Sequence, residues 1–66
     1  MKFETFGINL AKERIKQNMS AYELSIKLGK DPSYINKVEN GKINISLKII
    51  LEICEILKIE PKTLFN

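Results

Sequence analysis

The run MSAYELSIKLGKDPSYINKVENGK, residues 19–42, holds two short amphipathic segments that meet at LGKDPS, and the second closes at ENG. Ser20 stands where a helix N-cap is needed, and Glu23 three residues later completes a capping-box pattern that satisfies free backbone N–H groups. A helix therefore begins at Ser20, buries Leu24 and Leu28 with Ala21 or Ser25 between them, and stops at Gly29, which takes up a left-handed backbone readily. Asp31 caps the next helix with Pro32 at its first position, where a missing N–H costs nothing, and Gly41 ends it. Helices this short are marginal in isolation, so packing against the rest of the chain must hold the pair.

Working outward, the remaining sequence supplies that support. Apolar residues recur at helical spacing with no sustained alternation, which predicts an all-α chain. A first helix is expected over about residues 6–18, with Phe6, Leu10, Ile15 and Ala11 inward and Met19 closing onto the core. Ser46 caps a fourth helix, LKIILEICEILK, whose core stripe reads Leu47, Ile50, Cys54 and Leu57. Pro61 starts a short fifth helix, PKTLF, with Leu64 and Phe65 closing the bottom. The expectation is one compact five-helix domain over residues 6–65.

Composition removes most chemistry. The chain has 66 residues, one cysteine and no histidine, so an intramolecular disulfide, a Cys/His zinc site and a His-dependent catalytic pair are excluded. No constellation supports an enzyme, and no cofactor, metal site or small-molecule ligand is expected. A net charge of +3 favours a polyanionic partner without requiring one. The start, MKFETFGINLAKER, has no long apolar leader and no stretch reaches membrane-spanning length, so a cytoplasmic protein is expected. Cys54 falls on the core side of its helix and reads as a small hydrophobe.

On a helical wheel at about 100° per residue, Ile35 and Val38 face inward while Ser33, Asn36, Lys37 and Asn40 share the outer side. Those side-chain types hydrogen-bond base edges: Asn matches adenine N6 and N7, Lys donates to guanine O6 and N7, and Ser serves several bases. A solvated polar face is the other reading that the wheel permits.

The ordered set FG (residues 6–7), RIKQNMSAYELSIKLG, SYINKVENGK and SLKIILEICEILKI…LF resembles the Cro/CI-type, XRE-like helix-turn-helix family of lambdoid phage repressors and small bacterial regulators. The resemblance covers nearly the whole chain. It implies a helix-turn-helix over about residues 20–40, with Ser20–Leu28 lying across the DNA backbone and Asp31–Asn40 as recognition helix in the major groove of double-stranded DNA. Ser33, Lys37 and Pro32 then match base-contacting positions, with Asn36 on the same face. The docking that the resemblance implies makes Ser20, Lys30, Asn40 and Lys42, around the rim of that surface, candidates for phosphate contacts, and Tyr34, which matches a common family residue at the flank, a further one or a packing residue. Arg14 and Glu39 match a pair that joins the first helix to the end of the recognition helix by a partly buried salt bridge. Ala21 and Lys30 depart from the pattern, standing where a Gln and an apolar or small residue are usual.

In the fourth helix Ile49 and Ile56 lie outside the expected stripe with Ile53 on its boundary. The three form a candidate patch for a second subunit. A symmetric dimer sets two recognition helices about 34 Å apart, one turn of DNA, and reads a near-palindrome. Two functions follow as expectations. One is a sequence-specific transcriptional regulator of bacterial or phage type, a repressor or autoregulator that binds DNA as a dimer. The alternative is an interaction module of the same fold that no longer reads DNA.

Overall fold

The structure, a computed structural model, describes residues 3–66. Four α-helices and a terminal 3₁₀ helix follow one another: α1 Phe3–Lys16, α2 Ala21–Lys27, α3 Tyr34–Glu39, α4 Leu47–Leu57 and the 3₁₀ segment Pro61–Phe65. No strand occurs among the described residues, and no described helix is long and apolar enough to cross a membrane. The fifth expected helix is thus a single 3₁₀ stretch of five residues that opens on Pro61.

Caps explain where these helices start. Ser20 Oγ accepts the Glu23 N–H at 2.9 Å and Ser46 Oγ accepts the Ile49 N–H at 3.2 Å, each satisfying one donor that a first turn leaves free. The expected cap of α3, Asp31, stands two residues before the N-cap position, which Ser33 occupies. The Asp31 carboxylate accepts the Ser33 N–H at 3.0 Å and the Tyr34 N–H bonds the Asp31 carbonyl at 2.9 Å. Residues 31–33 therefore form a tight turn, and the α-helix proper begins at Tyr34 rather than Pro32.

One ending recurs in the first three helices. A residue with positive φ follows each: Asn18 (φ 56°), Gly29 (72°) and Gly41 (71°). The next N–H reaches back five residues: Met19 to the Arg14 carbonyl, Lys30 to Ser25 and Lys42 to Lys37, at 2.9–3.2 Å. This is the Schellman arrangement, which satisfies the last carbonyls and reverses the chain. Lys58 (φ 57°) plays the same part after α4, with the Ile59 N–H on the Cys54 carbonyl.

Phe6, Leu10, Leu24, Ile35, Val38, Ile50, Ile53, Cys54, Leu57 and Leu64 form the buried core. Three sequence-based placements are corrected by it. Ile15 is 62% exposed, because the buried face of α1 centres on Phe6, Leu10 and Arg14 and Ile15 lies five residues, about 140°, from Leu10. Leu47 is 69% exposed at the first turn of α4, and Ile53 is 0% exposed. The inward arc of α4 is rotated from the expected one, running through Ile50, Ile53, Cys54 and Leu57, so Ile53 is withdrawn from any subunit-facing patch. Ile49 and Ile56 are half-buried against the core. Phe65 is only partly covered, with its ring centroid 5.4 Å from that of Phe6.

Long-range polar bonds tie the two ends of the chain together. Asn9 Nδ2 donates to the backbone oxygens of Leu64 and Asn66 at 3.1 and 2.9 Å, and Gln17 Nε2 donates to the Leu57 carbonyl. These bonds fix α1 and the turn after it against the C-terminal part of the chain.

Candidate nucleic-acid interface

Three devices hold α3 in place. Ile35 and Val38 bury its inner face. At its start Ser33 makes no side-chain cap bond. The buried Ser25 of α2 supplies one instead. Ser25 Oγ accepts the Ile35 N–H at 2.9 Å while donating to the Ala21 carbonyl at 2.8 Å. Ser25 is thus a cap delivered from the neighbouring helix, and it sets the distance between α2 and α3. The sequence pattern offered Ser25 only as an alternative inward residue, because its partner lies ten positions away.

At the far end of α3, Glu39 is held by α1 in two ways. Arg14 Nε and Nη2 donate to the two Glu39 carboxylate oxygens at 2.7 and 3.0 Å, and Arg14 Nη1 donates to the Met19 carbonyl at 2.8 Å. Only 13% and 12% of the two side chains is exposed, and the bonds to Glu39 push the Arg14 pKa further up. Two turns earlier on α1, buried Gly7 lies directly against the Glu39 backbone. A Cβ there would sit 2.3 Å from the Glu39 carbonyl oxygen and 2.9 Å from its carbon. Gly7 was legible as part of FG but not as a contact residue.

With both ends anchored, the outer face is open. The expected base-contacting residues Pro32, Ser33, Asn36 and Lys37 are all open to solvent, as are Asn40 from the expected rim and Asp31 at the turn. Ser33 donates its hydroxyl hydrogen to Asp31, and Asn40 Nδ2 donates to the Asn36 carbonyl and side-chain oxygens at 2.8 and 3.0 Å. The bonds from Ser33, aided by nearby Lys37, hold the Asp31 carboxyl below the usual carboxylate range.

The rim is built by the helix ends. Lys30 and Lys42 are the residues whose N–H groups close α2 and α3, so their backbones are fixed while their side chains stay exposed. Lys30 Nζ lies 5.4 Å from the centroid of the Tyr34 ring, a cation–π approach. Tyr34 is half-buried against the core, and burial pushes its hydroxyl pKa up. Ser20 is exposed at the start of α2 beside Ala21, Tyr22 and Glu23.

Substituting Ser25 by alanine leaves the Ile35 N–H buried and unbonded without creating a large cavity. A loss of about 1–2 kcal/mol in urea denaturation is expected, at unchanged m-value. A change within about 0.3 kcal/mol would show that this bond contributes nothing net.

Two short helices set around a tight turn, the second open along its polar face and rimmed by lysines, form a helix-turn-helix of the kind that DNA-binding transcriptional regulators carry. The chain belongs to the helix-turn-helix family, whose model matches residues 10–64. Among solved structures it is similar to the restriction-modification controller protein C.AhdI from Aeromonas hydrophila, at 38% identity and TM-score 0.88, with 96% of each chain covered. The hypothetical transcription factor NHTF from Neisseria is similar at 25% identity and TM-score 0.89, covering 97% of this chain and 74% of that one. The clp gene regulator ClgR from Corynebacterium glutamicum shares the fold at 21% identity and TM-score 0.88, over 96% and 67% of the respective chains. No curated protein matches the sequence.

Proposed function

We propose that the protein binds a near-palindromic operator as a homodimer, with α2 across the DNA backbone and α3 in the major groove. Lys37, Ser33 and Asn36, with Pro32 beside them, meet base edges. Ser20, Lys30, Tyr34, Asn40 and Lys42 meet phosphates and set register. Occupying a promoter then represses transcription, including that of its own gene, in a bacterial cytoplasm. The observation that carries this reading is the open polar face of α3, fixed at one end by Ser25 and at the other by Gly7 and Arg14. The similarity to a restriction-modification controller supports a role in setting expression levels.

The subunit contact is proposed through the flank of α4 that the core leaves uncovered. Leu47 and Leu51 lie one turn apart there, 69% and 48% exposed. Sedimentation of a Leu51→Glu variant as a monomer, where the wild-type chain is a dimer, is the expected result.

Selection from random duplex DNA tests the reading as a whole. A motif of twofold symmetry is expected, and affinity for it falls with a log–log salt slope near about −5 if roughly six phosphates are neutralised per dimer. An interaction module that no longer reads DNA enriches no motif and shows little salt dependence.

A further inference from the structure

The outer face of α3 carries two internal side-chain pairs that determine which of its groups give hydrogen bonds and which accept them. An ionised carboxylate only accepts. Asp31 is exposed and its pKa is lowered by Ser33, so at neutral pH the bond between them takes the Ser33 hydroxyl hydrogen. What Ser33 has left to offer is its oxygen lone pairs. One turn on, Asn40 Nδ2 donates to the Asn36 backbone carbonyl, an atom that only accepts, and this fixes which end of the Asn40 amide faces Asn36. The same nitrogen bonds Asn36 Oδ1. The Asn36 carbonyl is thereby engaged, and its NH₂ group remains to donate. Lys37 is donor only.

We propose that α3 presents a face of fixed polarity to the groove, with Lys37 and Asn36 donating and Ser33 accepting through its oxygen. In the major groove the acceptors are purine N7, guanine O6 and thymine O4, and the donors are the exocyclic amino groups of adenine N6 and cytosine N4. Lys37 and Asn36 therefore engage N7, O6 or O4, whereas Ser33 takes an amino group of adenine or cytosine. Asp31 acts through Ser33 as a positioning residue and does not itself touch a base. This inference rests on α3 being the helix that reads DNA.

The test pairs protein variants with single-atom changes in the duplex enriched from random DNA. Adenine is replaced by purine and cytosine by 2-pyrimidinone, each of which lacks the amino group, and purines by their 7-deaza forms, which lack N7. Removing one particular amino group is expected to weaken wild-type binding by about 3- to 10-fold, the effect of one hydrogen bond, and to leave Ser33→Ala unaffected. Loss of N7 in the 7-deaza purines, of guanine O6 through 2-aminopurine or of thymine O4 through 5-methyl-2-pyrimidinone is expected to couple to Lys37→Ala or Asn36→Ala and not to Ser33→Ala. Asp31→Ala, which removes the acceptor of the Ser33 hydroxyl hydrogen and so frees Ser33 to donate, is expected to diminish the dependence on the amino group. Coupling of Ser33→Ala to N7, or to no amino group in the duplex, overturns the polarity while leaving α3 as the reading helix. A selection that enriches no sequence removes that reading and this inference with it.

Discussion

Replacing Gly7 by alanine lowers the melting temperature by about 10 °C. Alanine improves helix propensity by about 1 kcal/mol over glycine, so the local effect alone would raise it. Against this stands a Cβ 2.3 Å from the Glu39 carbonyl oxygen. The obstruction is backbone, which cannot swing aside as a side chain does, so α1 and the end of α3 must separate. Overpacking of this kind costs about 3 kcal/mol, and a net loss of about 2 kcal/mol corresponds to roughly 8–16 °C in a domain of this size. A melting temperature that stays or rises would mean the two helices yield freely. Because the displaced element is α3, affinity for DNA is expected to fall even well below the melting temperature.

Glu39→Ala produces the second large effect. It removes both carboxylate partners of a guanidinium that is 13% exposed, leaving Arg14 bonded to the Met19 carbonyl. Stranding one member of a buried pair costs roughly 3–5 kcal/mol, and the residual exposure puts the expected loss near about 3 kcal/mol. A chain of this length is stabilised by only about 3–10 kcal/mol in total, so the variant is close to unfolding at physiological temperature. Replacing both residues with methionine is expected to recover part of the loss, because no charge is then left unpaired. An unchanged thermal melt for Glu39→Ala would contradict burial of the pair.

Much of the fold was legible because it depends on local signals. Ser20 and Ser46 announce helix starts, Gly29 and Gly41 announce ends, and each is satisfied within five residues of its own position. What escaped depends on partners far along the chain. Ser25 looked like a minor inward residue until α3 placed the Ile35 N–H against it. Gly7 belongs to the FG pair, yet nothing near it in sequence shows that Glu39, 32 positions later, leaves no room there for a Cβ. The α4 wheel misled for another reason. Leu47, Ile49, Leu51, Ile53 and Ile56 spread apolar character around most of the helix, and such an arc has no well-defined centre. Contacts with the other helices decided that Ile53 is covered and Leu47 is not.

For the candidate site, the face was legible and its internal bonding was not. Period alone brings Ser33, Asn36, Lys37 and Asn40 to one side. The turn at residues 31–33 and the Asn36–Asn40 pair then restrict what those side chains have left to offer. Lys30 and Lys42 have exposed side chains because the helix-ending bonds hold their backbones at the rim.

The central claim is that α3 enters the major groove, and the most direct measurement is methylation protection on the duplex enriched from random DNA. Dimethyl sulfate attacks guanine N7 in the major groove and adenine N3 in the minor groove. With the protein bound, guanine N7 positions repeated about 34 Å apart are expected to be protected, one in each half-site losing protection in Lys37→Ala at matched occupancy. Protection confined to adenine N3, or full N7 reactivity on saturated DNA, would contradict the account.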